Sequence, residues 1–128
     1  MTPGSKAGFN RSLANLLVVR GDGAAAVSGA DAFADPALYA AWGPPRPFTT
    51  WRSRMALGGH PKSATLLSNS QSVVGPLERI TAKAWETFAS RAFVHQYTAH
   101  GVSEDAFVDN FVKMEQLIAS YKELGAAS

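Results

Sequence analysis

Among the side chains of this 128-residue sequence, His60, His95 and His100 are best suited to bind a metal or move a proton near neutral pH. His95 and His100 stand five positions apart, which puts them on different faces of any helix, and no carboxylate completes a zinc set around them. Cysteine is absent, which excludes disulfides, thiolate metal sites and cysteine nucleophiles together. Serine, histidine and aspartate all occur, but no Gly-x-Ser-x-Gly elbow presents a serine for attack. A phosphate cradle needs successive backbone N–H groups from a glycine-rich turn, and only Gly58-Gly59 hints at one. The sequence therefore predicts no catalytic, cofactor-binding or metal-ligating residue, and no enzyme.

What remains are residues suited to contact. Trp51, Trp85, Phe88 and Phe93 could stack on a ligand, but aromatic side chains on an apolar face more often form core. Arg52 and Arg54 are expected on the exposed face of an alternating segment. They fit contact with a partner's acidic groups as well as solvated edge charges that discourage stray strand pairing.

The elements that must position these residues are legible in outline. Residues 13–20 are nearly all apolar and stop at Gly21-Asp22-Gly23, which predicts a strand buried on both faces. Residues 21–30 are rich in glycine and alanine and read as a loop. Asp35 is a good N-cap and Pro36 suits the first helical position, so a short helix is expected over 36–42. Residues 48–55 alternate, with Thr49, Trp51, Ser53 and Met55 opposite Thr50, Arg52 and Arg54, as in a half-buried strand. After the turn Gly58-Gly59-His60-Pro61, residues 62–68 read as a third strand.

Two long amphipathic helices are expected beyond residue 72. The first has Val73, Leu77, Ile80, Ala84 and Phe88 on its apolar stripe and Arg79, Lys83, Glu86 and Ser90 opposite. Pro76 must lie in its first turn. The second opens at Ser103 as N-cap, with Glu104 and Asp105 beside the positive end of the helix dipole. Phe107, Phe111, Met114, Ile118 and Tyr121 form its apolar stripe, and Gly125 is expected to end it. Asp109 and Lys113 on its wet face are spaced for an ion pair and stand as partner-facing candidates. Each helix has one apolar stripe, so one face of the sheet is expected to remain uncovered.

Composition sets the bounds. Hydrophobic residues make up 46% and charged residues 17%, a globular balance. Residues 1–71 carry seven Lys/Arg against three acids, and residues 72–128 carry five against seven. The charge is dispersed without runs, which argues against a nucleic-acid arm or a polybasic membrane segment. Met1-Thr2-Pro3-Gly4-Ser5 has no apolar signal region, and the strongly apolar run at 16–19 is too short to span a bilayer. A soluble intracellular protein is expected, with the Asn10-Arg11-Ser12 sequon idle.

Several segments resemble the tubulin superfamily. Lys62-Ser63-Ala64-Thr65-Leu66-Leu67-Ser68-Asn69-Ser70 is similar to the tubulin strand that ends in Gly/Ser-Asn-Ser before a long helix. Leu77-Glu78-Arg79-Ile80 resembles the Phe-Lys-Arg-Ile of that helix, and Phe48-Thr49-Thr50-Trp51 resembles a Phe-Val-Glu-Trp strand. Arg91-Ala92-Phe93-Val94-His95-Gln96-Tyr97-Thr98, then Gly101 and Glu104, is similar to the Lys/Arg-Ala-Phe-Leu/Val-His-Trp-Tyr segment joining the last two helices. Ser68-Asn69-Ser70-Gln71, Lys83-Ala84-Trp85, Phe88-Ala89-Ser90, His95-Gln96-Tyr97 and Asp35-Pro36-Ala37-Leu38-Tyr39 resemble the delta branch of the superfamily. So does the segment opening at Phe9-Asn10-Arg11-Ser12. The resemblance covers residues 9–124.

The resemblance implies an α+β fold, a small mixed sheet of about three strands covered by two long C-terminal helices. Residues 1–71 would be part of a tubulin-like intermediate domain, and 72–128 a C-terminal two-helix region. Phe93, His95 and Tyr97 would form a structural joint between the helices, with His95 packed and hydrogen-bonded. Gln96, where α- and β-tubulins carry Trp, joins Arg52, Arg54, Asp109 and Lys113 as a partner-facing candidate. The implied function is that of a structural microtubule subunit at centrioles, basal bodies and cilia, with other tubulins and centriolar or ciliary proteins as partners. Neither nucleic acid nor membrane is an implied partner. The glycine-rich phosphate loop and acidic tail of complete tubulins do not occur in this sequence, so GTP is expected only with an N-terminal half. A free-standing helical adaptor, docking a partner on an exposed helix stripe, is the rival expectation.

Overall fold

A computed structural model of the protein describes residues 10–124, so the expected helix stop at Gly125 lies outside the described residues. The described residues form two compact units, one over 10–71 with Leu124 and one over Ser72–Glu123. The architecture is α+β.

The first unit is built on a three-stranded mixed sheet in the order β2-β1-β3. Its strands are β1 (Ser12–Gly21), β2 (Phe48–Ser53) and β3 (Lys62–Ser70). β1 is central, parallel to β2 and antiparallel to β3, with a bulge between Ser12 and Ala14. Register sorts the side chains onto two faces. Asn15, Leu17 and Val19 of β1 share a face with Phe48, Thr50 and Arg52, and with Ala64 and Leu66.

On that face Leu17 and Val19 are buried against Ala24 and Ala30, with Phe33 and Phe48 packed at the side. The expectation that β1 is buried on both faces is corrected here. Leu16 and Val18 are only half-buried. Their cross-strand neighbours Leu67 and Trp51 are exposed, Trp51 by 62%.

The alanine-rich stretch after β1 is more than a loop. It folds into two 3₁₀ turns, Ala24–Ala26 and Ala30–Ala34, that place Ala24 and Ala30 in the core. The expected helix over 36–42 is a single 3₁₀ turn, Pro36–Leu38, capped as anticipated by Asp35 Oδ1 accepting from Ala37 N at 2.9 Å. It stops because tertiary bonds take over. The Tyr39 hydroxyl donates to Phe33 O at 2.5 Å and accepts from Asn15 Nδ2 at 3.1 Å, while Ala40 N donates to Ser12 O at 3.0 Å. A buried hydroxyl and amide held this way outweigh another helical turn.

The second unit contains three helices, α1 (Val74–Ala89), α2 (Val94–Ala99) and α3 (Glu104–Glu123), where two were expected. Pro76 lies in the first turn of α1, where its missing N–H costs nothing. Ser103 Oγ accepts from Ala106 N at 3.2 Å and caps α3. The apolar stripe of α3 is as the spacing predicts, with Ile118 buried and Phe107, Phe111, Met114 and Tyr121 half-buried. That of α1 is rotated from expectation. Ile80 and Ala84 are exposed, while Thr81 is buried and Trp85 and Phe88 meet rings of α3.

α1 ends in a Schellman turn. Ala92 N donates to Thr87 O at 3.2 Å and Arg91 N to Phe88 O at 2.9 Å, with Arg91 left-handed at φ 59°. Glycine is the usual residue there. Phe93, before α2, is also left-handed at φ 63°, so two side chains in three residues occupy a backbone region that favours glycine.

Candidate interaction surface

The helical unit is held by an aromatic ladder. Trp85 of α1 meets Phe111 of α3 edge-on at 5.1 Å, and Phe88 stacks on Phe107 at 5.1 Å. Tyr97 of α2 closes the ladder edge-on against Phe107 at 5.3 Å. Such pairs add to the burial of the rings themselves. Of the four aromatics expected in the core, Phe88 is half-buried in this ladder, while Trp85 packs one edge on Phe111 and stays about half exposed, and Trp51 and Phe93 are exposed.

Beside the ladder runs an apolar groove of about 1160 Å³, bounded by α1, α2 and the start of α3. Ile80, Phe93 and Tyr97 line it and are each more than half exposed. Arg79 and Lys83 of α1, with His95 and His100, supply its basic groups. A second groove of about 670 Å³ lies along the other side of the α1–α3 pair, with Trp85, Val108 and Val112 for walls and Glu78 and Glu115 among its lining residues. Glu78 also pairs with Lys122 of α3.

One ion pair ties the turn between α1 and α2 to the start of α3. Arg91 Nη1 donates to Glu104 Oε1 at 2.5 Å, and this hydrogen bond, then the carboxylate's charge, holds the guanidinium pKa above its ordinary value. From the sequence, Glu104 stands beside the helix dipole and both residues fall in the motif joining the helices, but nothing there pairs them. Nothing in the spacing of two surface charges thirteen positions apart marks them as partners.

The residues singled out from sequence sit as follows. Phe93, His95 and Tyr97 are all exposed and all line the first groove. His95 is therefore not the packed side chain expected. The buried residue of the segment is Val94, only 5% exposed. Gln96 is exposed on α2, and Asp109 and Lys113 are exposed on α3 with no ion pair between them among the described residues. Arg54 is exposed just beyond β2. Arg52 is engaged within its own unit, Nη1 donating to Ala24 O at 2.8 Å and Val27 O at 3.1 Å. It braces the first 3₁₀ turn against the sheet, a task its alternation in sequence does not reveal.

Among the described residues no three His, Cys, Asp or Glu side chains gather closely enough to hold a metal ion. Gly58, left-handed at φ 57°, belongs to the tight turn in which His60 N donates to Leu57 O at 3.1 Å. No helix of the described residues is long and apolar enough to cross a membrane.

Comparison with known proteins decides the family. The chain is 49% identical over 120 residues to the tubulin delta chain of Mus musculus and 45% identical over 117 residues to that of Homo sapiens, each match taking in 91% of this chain. The chain belongs to the tubulin family. The likeness extends more weakly to other tubulins, with 31% identity over 65 residues to the tubulin beta-4 chain of Zea mays, about half of this chain. The chain spans about a quarter, 26%, of the length of the delta chains it matches. No family model matches it. The tubulin-like motifs fall on whole elements here. Lys62–Ser70 is β3, Leu77 to Ile80 lies on α1, and the segment from Arg91 to Thr98 spans the left-handed turn and most of α2.

Proposed function

We propose that this chain is the C-terminal part of a delta-type tubulin, a structural subunit of the microtubule cytoskeleton that acts in building the triplet microtubules of centrioles and basal bodies and in cilium assembly. The observation that carries the proposal is the 45–49% identity to mammalian tubulin delta chains across 91% of this chain. The exposed second face of the sheet, with Trp51 and Leu67 uncovered, supports it. A lattice subunit meets its neighbours through such apolar areas, and monomeric proteins seldom leave them open. The intended partners are other tubulin subunits and centriolar or ciliary proteins, in the cytoplasm and cytoskeleton. GTP would be bound by a complete chain through a glycine-rich phosphate loop that the present sequence does not contain, and no nucleotide site is assigned to these residues.

A graft tests this. The present sequence is placed in a mammalian delta-tubulin in place of the matching quarter, and the tagged chimera is followed by fluorescence microscopy in dividing and ciliated cells. Concentration at centrioles and basal bodies is the expected result. A stably expressed chimera spread evenly through the cytoplasm contradicts the proposal.

The free-standing adaptor draws on one observation, that the helical unit carries its own aromatic core and an open groove. A clean monomer in sedimentation, melting sharply and binding no apolar dye, would favour the adaptor over the lattice subunit.

A further inference from the structure

We propose that the groove between α1, α2 and the start of α3 docks an amphipathic helix of a partner protein that carries carboxylates beside its apolar stripe. The inference stands on the helical unit alone and does not depend on the cytoskeletal role.

The shape argues for a helix. On α1 the lining residues come as Arg79 and Ile80, Lys83 and Ala84, Thr87 and Phe88, steps of four along one helix. They make a ridge about 13 Å long at 1.5 Å per residue, which suits the ridges of a second helix laid alongside. The trough is open. Ile80 is 64% and Phe93 59% exposed, whereas a small-molecule pocket encloses most of its ligand. An apolar helix face laid into a groove is a common mode of peptide recognition, with anchors at i, i+3 or i+4, and i+7.

The charge chooses the partner. No acidic side chain lines this groove, and its ionisable residues are Arg79, Lys83, His95 and His100. Lys83 has an acidic neighbour, Glu86 at 3.8 Å, but both are well exposed, so the pair leaves the lysine available. The groove on the other side of the α1–α3 pair is lined by Glu78 and Glu115 and by no basic residue, and although Glu78 is already paired with Lys122, Glu115 gives it the opposite sign. A helix flanked by carboxylates is therefore attracted to the first groove and repelled by the second, and one flanked by lysines behaves the other way.

The test uses the 128-residue chain and two labelled peptides of about 15 residues, near the lower limit for a helix in water. Both carry leucines at i, i+4, i+7 and i+11, one with glutamates and the other with lysines beside them. Fluorescence anisotropy should show saturable binding of the glutamate peptide, weakening as salt is raised. The double variant Arg79→Glu, Lys83→Glu should lose about tenfold or more of that affinity and gain affinity for the lysine peptide. Glu115→Lys, in the other groove, should leave binding of the glutamate peptide within about twofold, and circular dichroism should show every variant folded. Failure of the glutamate peptide to bind the folded chain overturns the proposal. Equal binding of both peptides, or indifference to the reversal at Arg79 and Lys83, does so too. A self-association in sedimentation that Ile80→Asp abolishes would show that a second copy fills the groove, and would also overturn it.

Discussion

Replacing Gly21 by alanine adds one methyl group where β1 ends, and the structure says where that methyl must go. Gly21 has φ +105°, a backbone conformation that L-residues rarely adopt, and it pairs with Lys62 across the sheet. A Cβ there would lie 2.0 Å from Pro61 O and 2.9 Å from Pro61 C, both backbone atoms that no rotamer change can move aside. The backbone strain costs roughly 1–3 kcal/mol. Crowding of the β1–β3 closure adds roughly 1–3 kcal/mol, for a total of roughly 2–6 kcal/mol. That is a large share of the roughly 5–15 kcal/mol that holds a typical domain together. Gly23 is an internal control in the same turn. Its φ of +79° is also left-handed, but nothing lies within 4 Å of the added Cβ, so Gly23→Ala should cost only about 1–2 kcal/mol. Urea unfolding of dilute samples followed by far-UV circular dichroism measures both. If the two substitutions cost the same to within about 0.5 kcal/mol, the close approach of β1 to Pro61 is refuted.

Tyr39→Phe removes the hydroxyl that links Asn15 to Phe33 and leaves a buried amide unpaired, so a loss of about 1–3 kcal/mol is expected in the same assay. Val94→Ala should cost about 1.5–3 kcal/mol because the side chain is buried. At exposed, left-handed Phe93 the usual order should invert, with Phe93→Gly more stable than Phe93→Ala by about 1 kcal/mol in paired urea titrations. Equilibrium titration with a fluorescent GTP analogue and magnesium should show no saturable site on this chain, and a low-micromolar site would contradict the absence of a phosphate cradle.

Much of the fold was legible because its signals are local. The turn residues after β1, the Asp35 cap and the stripe of α3 each act within a few residues of themselves, and each stands where spacing places it. The alternation through β2 marks the strand but not its faces, since Arg52 shares the core face and Trp51 the exposed one. What was not legible depends on partners far along the chain. The rotation of α1 is one case. Ile80 and Trp85 are both apolar and cannot both face α3, and only the ring of Phe111 decides for Trp85. α2 is another, six residues opened by a phenylalanine in a conformation that sequence rules reserve for glycine. Arg52 is a third, since the carbonyls it reaches at Ala24 and Val27 lie in a stretch that reads as plain loop. The contact residues were found by type, but their arrangement was not. Phe93, His95 and Tyr97 read from sequence as a joint, and of the three Tyr97 packs on Phe107 while all three line an open groove and Val94 is the buried residue of the segment.

The assignment to a delta-type tubulin is tested most directly by function in place. In cells depleted of delta-tubulin, the chimera that carries this sequence as its matching quarter is expressed, and centrioles are sectioned for electron microscopy. Restoration of triplet microtubules is expected, to the level given by the intact mammalian chain. A chimera that is stable and abundant yet leaves the centrioles without triplets would contradict it.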